Sequence, residues 1–212
     1  MKDKPSEWIA ISDLMAGVMA VVMLLLVVAV VQKSTSDLRY QQELADAKAN
    51  KGDSVARMMQ TLGAKLGSGE ASGLMTLDRG TNRLTLRDGV FERGSACLTP
   101  EARAAIGAVQ GELAHFIADN PKARILVEGY TDNLPVTRPV IDYQRFCTVY
   151  DDNFTLSAAR AREARRALLG TIGDDAAKRI VVAGYGESRP LPGVDAADPK
   201  NRRVEVQFLV DQ

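Results

Sequence analysis

The chain has 212 residues, enough for one ordinary domain with attachments and too few for two large cores. Its 27 Lys and Arg balance 27 Asp and Glu, so no overall basic field points to nucleic acid as a direct partner. Two cysteines and a single histidine fit no zinc pattern, and no P-loop lysine or Ser/His/Asp constellation marks an enzyme, so neither cofactor nor catalytic residue is expected.

Residues 1–8 form a short tail of mixed charge. From Ile9 to Val31 the only charged residue is Asp13, and such a run spans the ~30 Å hydrocarbon core of a bilayer as a helix. A cleaved signal peptide is the competing reading. The run is longer than a signal core, however, and no small-x-small cleavage site follows it. Trp8 stands where an amphipathic indole favours the membrane interface. The positive-inside signal is weak, because Asp3 and Glu7 offset Lys2 and Lys4 while Lys33 and Arg39 follow the span.

Asp13 is the exceptional residue here. A carboxylate in hydrocarbon costs about 2.5–3.5 kcal/mol on insertion scales, and such residues mark ion pathways. Ala16, Gly17 and Ala20 continue its helical face with small side chains that admit a partner helix. A Ser12-Asp13 helix cap is the alternative, opposed by the apolar stretch that has already begun at Ile9.

Residues 32–73 read as an exposed helical linker, interrupted near Gly52, with Leu38, Leu44, Val55, Met58, Met59 and Leu62 available to pair with a second copy. From Leu74 the pattern becomes that of a folded domain, 74–212. Two short strands flank the turn Arg79-Gly80-Thr81-Asn82. Thr99-Pro100-Glu101 then starts a helix whose stripe is Ile106, Val109, Leu113, Phe116 and Ile117, with His115 on the surface. A buried strand follows over 124–130, then an irregular stretch to Asn153, a helix over about 155–170, and strands over 179–185 and 203–210. The fold class is therefore a single transmembrane helix, a helical linker, and an α+β domain of order β-β-α-β-α-β, a mixed sheet with both helices on one face. Cys97 and Cys147 form one disulfide in an oxidising compartment, or stand as two unpaired small core residues.

Four blocks in this domain, VEGYTDN (127–133), NFTLSAARA (153–161), VAGYGESRP (182–190) and NRRVEV (201–206), resemble in order the signature blocks of OmpA-like peptidoglycan-binding domains. The resemblance implies a site for the diaminopimelate of a stem peptide, with Asp132 for its ammonium and Arg160, in the first turn of the helix, for its carboxylate. Arg suits the second role because its planar fork matches a carboxylate. By the same resemblance Asn153 orders the loop before the helix, and Asn201 with Arg202 line the groove. One departure stands out. Asp132 and Asn153 are twenty-one positions apart, where the family has a short loop, and Cys147 lies in this insertion. A disulfide to Cys97 would pin the insertion down, over or beside the groove.

The segment ISDLMAGVMAVVMLLLVV (11–28) resembles the span of MotB-type stator subunits. That resemblance makes Asp13 the carrier of a proton, or a ligand for sodium. It implies two copies inside a ring of five MotA-like partners, in the bacterial inner membrane, with the N-terminus cytoplasmic and the C-terminal domain periplasmic. The short tail, compact linker and cysteine-bearing insertion resemble ZorB, the B subunit of Zorya anti-phage defence systems, whose partner is ZorA. A flagellar MotB-type stator and a passive wall tether without ion flow are the alternatives.

Overall fold

The computed structural model describes residues 7–67, 73–170 and 172–210, with side-chain surroundings from residue 14 onward except 43–53. Contacts divide the chain into two compact units, Met1–Asn50 and Lys51–Gln212. The described residues of the first unit, 7–50, are helical. Helix α1 runs Glu7–Gly67, and within its stretch Leu14–Gln42 an 18-residue window reaches a mean hydropathy of 3.1 with none of that window buried. Leu24, Leu25 and Leu26 are exposed, as a helix apolar all round must be when no protein covers it. The side chain of Asp13 lies outside the described residues.

Helix α1 does not break near Gly52; it continues to Gly67. Residues 32–42 are exposed as expected of a linker, but the last turns of α1 belong to the second unit, which corrects that expectation from Val55 onward. Val55, Met58, Met59, Leu62 and Leu66 are buried in the domain core, and Met59 and Leu62 are each only 1% exposed. Their spacing of three and four residues makes one apolar stripe. That stripe suits a second copy and a domain core equally well in sequence; here the domain takes it. Lys65 adds an ion pair to Glu112 at 2.8 Å.

Strands β1 (Met75–Asp78) and β2 (Arg83–Leu86) form the expected hairpin, with Asp78 opposite Arg83. The Asp78 carboxylate accepts from the Gly80 amide at 2.8 Å and the Thr81 hydroxyl at 2.8 Å, and Asn82 takes a positive φ of 54°. Helix α2 (Pro100–Asp119) starts as its residues dictate: Thr99 accepts from the Ala102 amide, and Pro100 occupies the first position. All five residues of its expected stripe are buried.

The domain continues with β3 (Ala123–Tyr130), the one-turn α3 (Tyr143–Phe146), α4 (Asn153–Leu169), the short α5 (Asp174–Ala177), β4 (Ile180–Gly184) and β5 (Arg203–Val210). Sheet order is β1-β2-β5-β3-β4, with β3 and β4 parallel and the other pairs antiparallel. The mixed sheet and strand–helix order are those expected. Leu84, Leu86, Ile125, Val127, Val204, Val206 and Phe208 face one core with the α1, α2 and α4 stripes.

Two motif glycines let α4 lie against the strand ends. A Cβ on Gly129 would come within 2.0 Å of the Ser157 carbonyl oxygen, and one on Gly184 within 2.6 Å of Ala158. The tyrosine after each glycine points to the opposite face, where Tyr130 and Tyr185 stack with centroids 5.4 Å apart. Arg203 lies over Tyr130 at 4.0 Å and Arg189 over Tyr185 at 3.8 Å. On the same face Glu128 and Glu205 sit directly opposite each other on β3 and β5. Like charges so placed repel. Arg83 pairs with both, and Arg203 donates to Glu205 at 2.6 Å, which offsets the repulsion.

Candidate functional site

Strand β3 ends at Tyr130, so Thr131 and Asp132 project just beyond the sheet. Helix α4 begins at Asn153, and Arg160 lies two turns into it rather than in the first turn. The sequence pattern places that start two residues late, because Asp152 rather than a later residue is the cap; its carboxylate accepts from the Thr155 amide at 2.6 Å. That bond already occupies one of the helix-start amides.

Asp132 and Arg160 line one cavity of about 440 Å³, together with Asp88, Thr131, Tyr150, Asn153 and Arg202. The anion and the cation that the motif pairs are thus brought to one groove. Asp132 is 5% exposed and Arg160 is 3% exposed. Arg160 donates from Nε to the Ser95 carbonyl at 2.9 Å and lies over the Phe91 ring at 5.4 Å. Burial pushes its guanidinium below the ordinary value, opposed by Asp88, Tyr150 and Asp132. Arginine keeps its charge through such a shift, so the groove holds a fixed, poorly hydrated cation.

Asp132 is held at both oxygens. Oδ1 accepts from the Leu134 amide at 3.3 Å, and Oδ2 accepts from Arg202 Nη1 at 2.7 Å. Asn153 orders the loop as expected, donating from Nδ2 to the carbonyls of Asp132 at 3.3 Å and Leu134 at 3.0 Å. Asn201 does not line the groove. It is fully buried; its Oδ1 accepts from the Leu191 amide at 2.8 Å, and its Nδ2 donates to Asp195 and Ala196 carbonyls. It therefore pins the 191–196 loop, and that loop in turn accepts from the Asn133 amide through Ala196. Arg202, its neighbour, does reach the groove.

The insertion forms a wall of this cavity through Leu134, Pro135, Val136, Thr137, Arg138 and Tyr150, and it leaves the cavity present. It folds back on itself through a bridge between Val140 and Tyr150. Cys147 is joined to Cys97 by a disulfide. Around that bond, Ser95 Oγ and the Ala96 amide both donate to the Phe146 carbonyl, and the Tyr150 hydroxyl donates to Gly94 at 2.6 Å. The segment 94–97 thus carries the acceptor for Arg160 and the attachment of the insertion at once.

Among the lining residues outside the sequence expectation are Asp88, Thr131 and Tyr150, and Phe91 lies beneath the Arg160 guanidinium. Asp88 takes Arg202 in a two-point grip, Oδ1 from Nε at 2.8 Å and Oδ2 from Nη2 at 2.8 Å. The two carboxylates together raise the Arg202 pKa, with the Asp88 hydrogen bond the largest cause. The Thr131 hydroxyl is buried with no hydrogen-bond partner among the described residues. Such an orphan costs about 1–3 kcal/mol unless a ligand or water meets it. Thr131 adjoins Asp132 in the motif, which is the one signal that pointed to it.

The OmpA family model matches residues 90–204, more than half of the chain and all four blocks in nearly full length. The chain belongs to the OmpA family. Among relatives, this OmpA-family chain is 30% identical over 129 residues to Motility protein B of Bacillus subtilis (strain 168), covering 59% of this chain and 44% of that protein. The chain therefore spans less than half the length of that relative. Its fold is shared by a MotB-like protein from Desulfovibrio vulgaris, with a TM-score of 0.57 and 20% identity over 78% of this chain and 99% of that one. The cell wall anchor of the T6SS from Pseudomonas aeruginosa is similar at a TM-score of 0.50, with 25% identity over 71% and 97% of the two chains.

Proposed function

We propose that this OmpA-family domain grips peptidoglycan and holds in place the B subunit of an ion-driven membrane motor. The observation that carries the reading is the convergence of Asp132 and Arg160 on one cavity of about 440 Å³. A diaminopimelate side-chain end offers an ammonium and a carboxylate at fixed separation. Asp132 meets the first, and Arg160 meets the second with a planar fork. The orphaned Thr131 hydroxyl supplies a further polar contact. Residue types and burial suit a zwitterion held out of water, where each charge-assisted hydrogen bond is stronger.

The motor half of the proposal rests on Asp13 within the apolar run and on the similarity to Motility protein B. A protonated carboxyl is tolerated against lipid or a partner helix and an ionised one is not, so proton uptake and release at Asp13 changes what the helix can lie against. In this reading two copies sit inside five MotA-like subunits in the bacterial inner membrane, with the N-terminus cytoplasmic and the wall domain periplasmic. A proton is the transported ion, and sodium is the alternative. By the resemblance of its short tail, compact linker and cysteine-bearing insertion the chain is read as ZorB of a Zorya anti-phage system, partnered by ZorA, with a flagellar stator as the alternative. The resemblance to a T6SS cell wall anchor favours instead a passive tether without ion flow.

Pull-down of the full chain in detergent by purified peptidoglycan tests the wall site. A soluble stem peptide bearing diaminopimelate is expected to compete, and undiminished pull-down at saturating peptide would contradict the assignment.

A further inference from the structure

We infer that Asp88 is a positioning residue of the groove, one that engages the fork of Arg202 and so keeps Asp132 open to a ligand ammonium. The inference rests on the wall-binding reading and adds to it a residue that lies outside the four motif blocks.

Arg202 stands between two carboxylates. Its Nε and Nη2 both donate to Asp88, each at 2.8 Å, while only Nη1 reaches Asp132, at 2.7 Å. A guanidinium presents its strongest two-point grip along one edge at a time. Here Asp88 takes that edge. Asp132 is left with a single bond from Arg202 and a longer one, at 3.3 Å, from the Leu134 amide. A carboxylate oxygen has two acceptor sites, so lone-pair capacity remains on Asp132 for an incoming ammonium.

The charge inventory of the groove makes this arrangement matter. Among the described residues, Arg93, Arg138, Arg160 and Arg202 line it, against Asp88 and Asp132 as its carboxylates. The Asp132 side chain is 7% exposed and that of Asp88 is 40% exposed. Without Asp88, the freed edge of Arg202 turns to the remaining carboxylate and closes on Asp132 at two points. The groove would then still attract carboxylates and would no longer recognise an amine. Asp88 sits in the turn Asp88–Val90 after β2, 114 positions from Arg202, which is why no local motif reveals it.

The test compares two soluble muropeptides that differ only in whether the diaminopimelate amine is free or acetylated, bound by the full chain in detergent. Wild type is expected to prefer the free amine by about tenfold, the scale of one charge-assisted hydrogen bond. Asp88→Asn is expected to bring the ratio near one, and Asp88→Glu to restore most of it. The double variant Asp88→Asn with Arg202→Gln is expected to regain the preference, since the guanidinium that bonds Asp132 is gone. A role in folding alone would weaken both ligands together and leave the ratio unchanged. A preserved ratio in Asp88→Asn, or its loss without recovery in the double variant, overturns the inference while the wall site stands. Wild type that binds neither muropeptide overturns both.

Discussion

Arg202 Nη1 donates to Asp132 Oδ2 at 2.7 Å, tying the residue that precedes β5 to the loop that leaves β3. The bond joins two motif blocks that are 70 positions apart in the chain. Beside it, Arg160 is anchored through Ser95 to the segment that also carries the disulfide. The groove is therefore assembled from segments far apart in the chain, and its parts respond to distinct perturbations.

The end of α1 is core. Leu62→Ala is expected to destabilise the domain by about 2–5 kcal/mol, the usual cost of emptying a fully buried leucine site. Chemical denaturation of the full chain in detergent measures it. A loss below about 0.5 kcal/mol would return this stretch to the role of an exposed linker.

The disulfide clamps the groove wall. Cys97 and Cys147 are 50 positions apart, and closing such a loop stabilises a fold by about 2–4 kcal/mol. The double variant Cys97→Ser with Cys147→Ser is expected to melt earlier and to gain protease sensitivity within 133–152 first. Cleavage that begins elsewhere would show that the hydrogen bonds from Ser95, Ala96 and Tyr150 suffice without the bond.

Tyr130 predicts an alkaline limit. Burial, then the carboxylates of Glu205 and Glu128, push its phenol up to about 12. The unfolded chain releases that proton near pH ~10. Below ~10 both states hold the proton and the contribution to stability is whole. Between ~10 and about 12 the unfolded state alone loses it, so stability falls with rising pH. Tyr130→Phe is expected to flatten that decline relative to wild type in denaturation curves taken across the window. Parallel declines in the two proteins would refute the assignment.

Much of the fold was legible because it is written in local patterns. The α2 cap at Thr99 and the stripe Ile106–Ile117 carry their own periodicity, and the four blocks mark β3, α4, β4 and β5 in order. Asp132, Arg160, Asn153 and Arg202 all line one groove, Arg160 from two turns into α4 rather than from the first turn. The end of α1 was misplaced because Val55, Met58, Met59 and Leu62 encode an apolar face without encoding its partner. Asn201 was misplaced because the motif fixes its position and not the direction of its amide, which turns into the 191–196 loop. Asp88 was invisible, since its partner is distant in the chain and a lone acid after a strand resembles any turn residue.

The proposed motor role is tested at Asp13. Asp13→Asn keeps the size of the side chain and removes the titration, so membrane insertion and wall binding are expected to persist while function in cells co-expressing the proposed MotA-like partner is lost. Full function of that variant would leave a passive tether as the role of the span.

The wall grip itself is the central claim, and co-sedimentation with purified peptidoglycan measures it most directly. Asp132→Ala and Arg160→Lys, each confirmed as folded by circular dichroism, are expected to bind at least about tenfold more weakly than wild type, since each removes or misaligns a desolvated charged hydrogen bond. Sedimentation of both variants at the wild-type level would contradict the site.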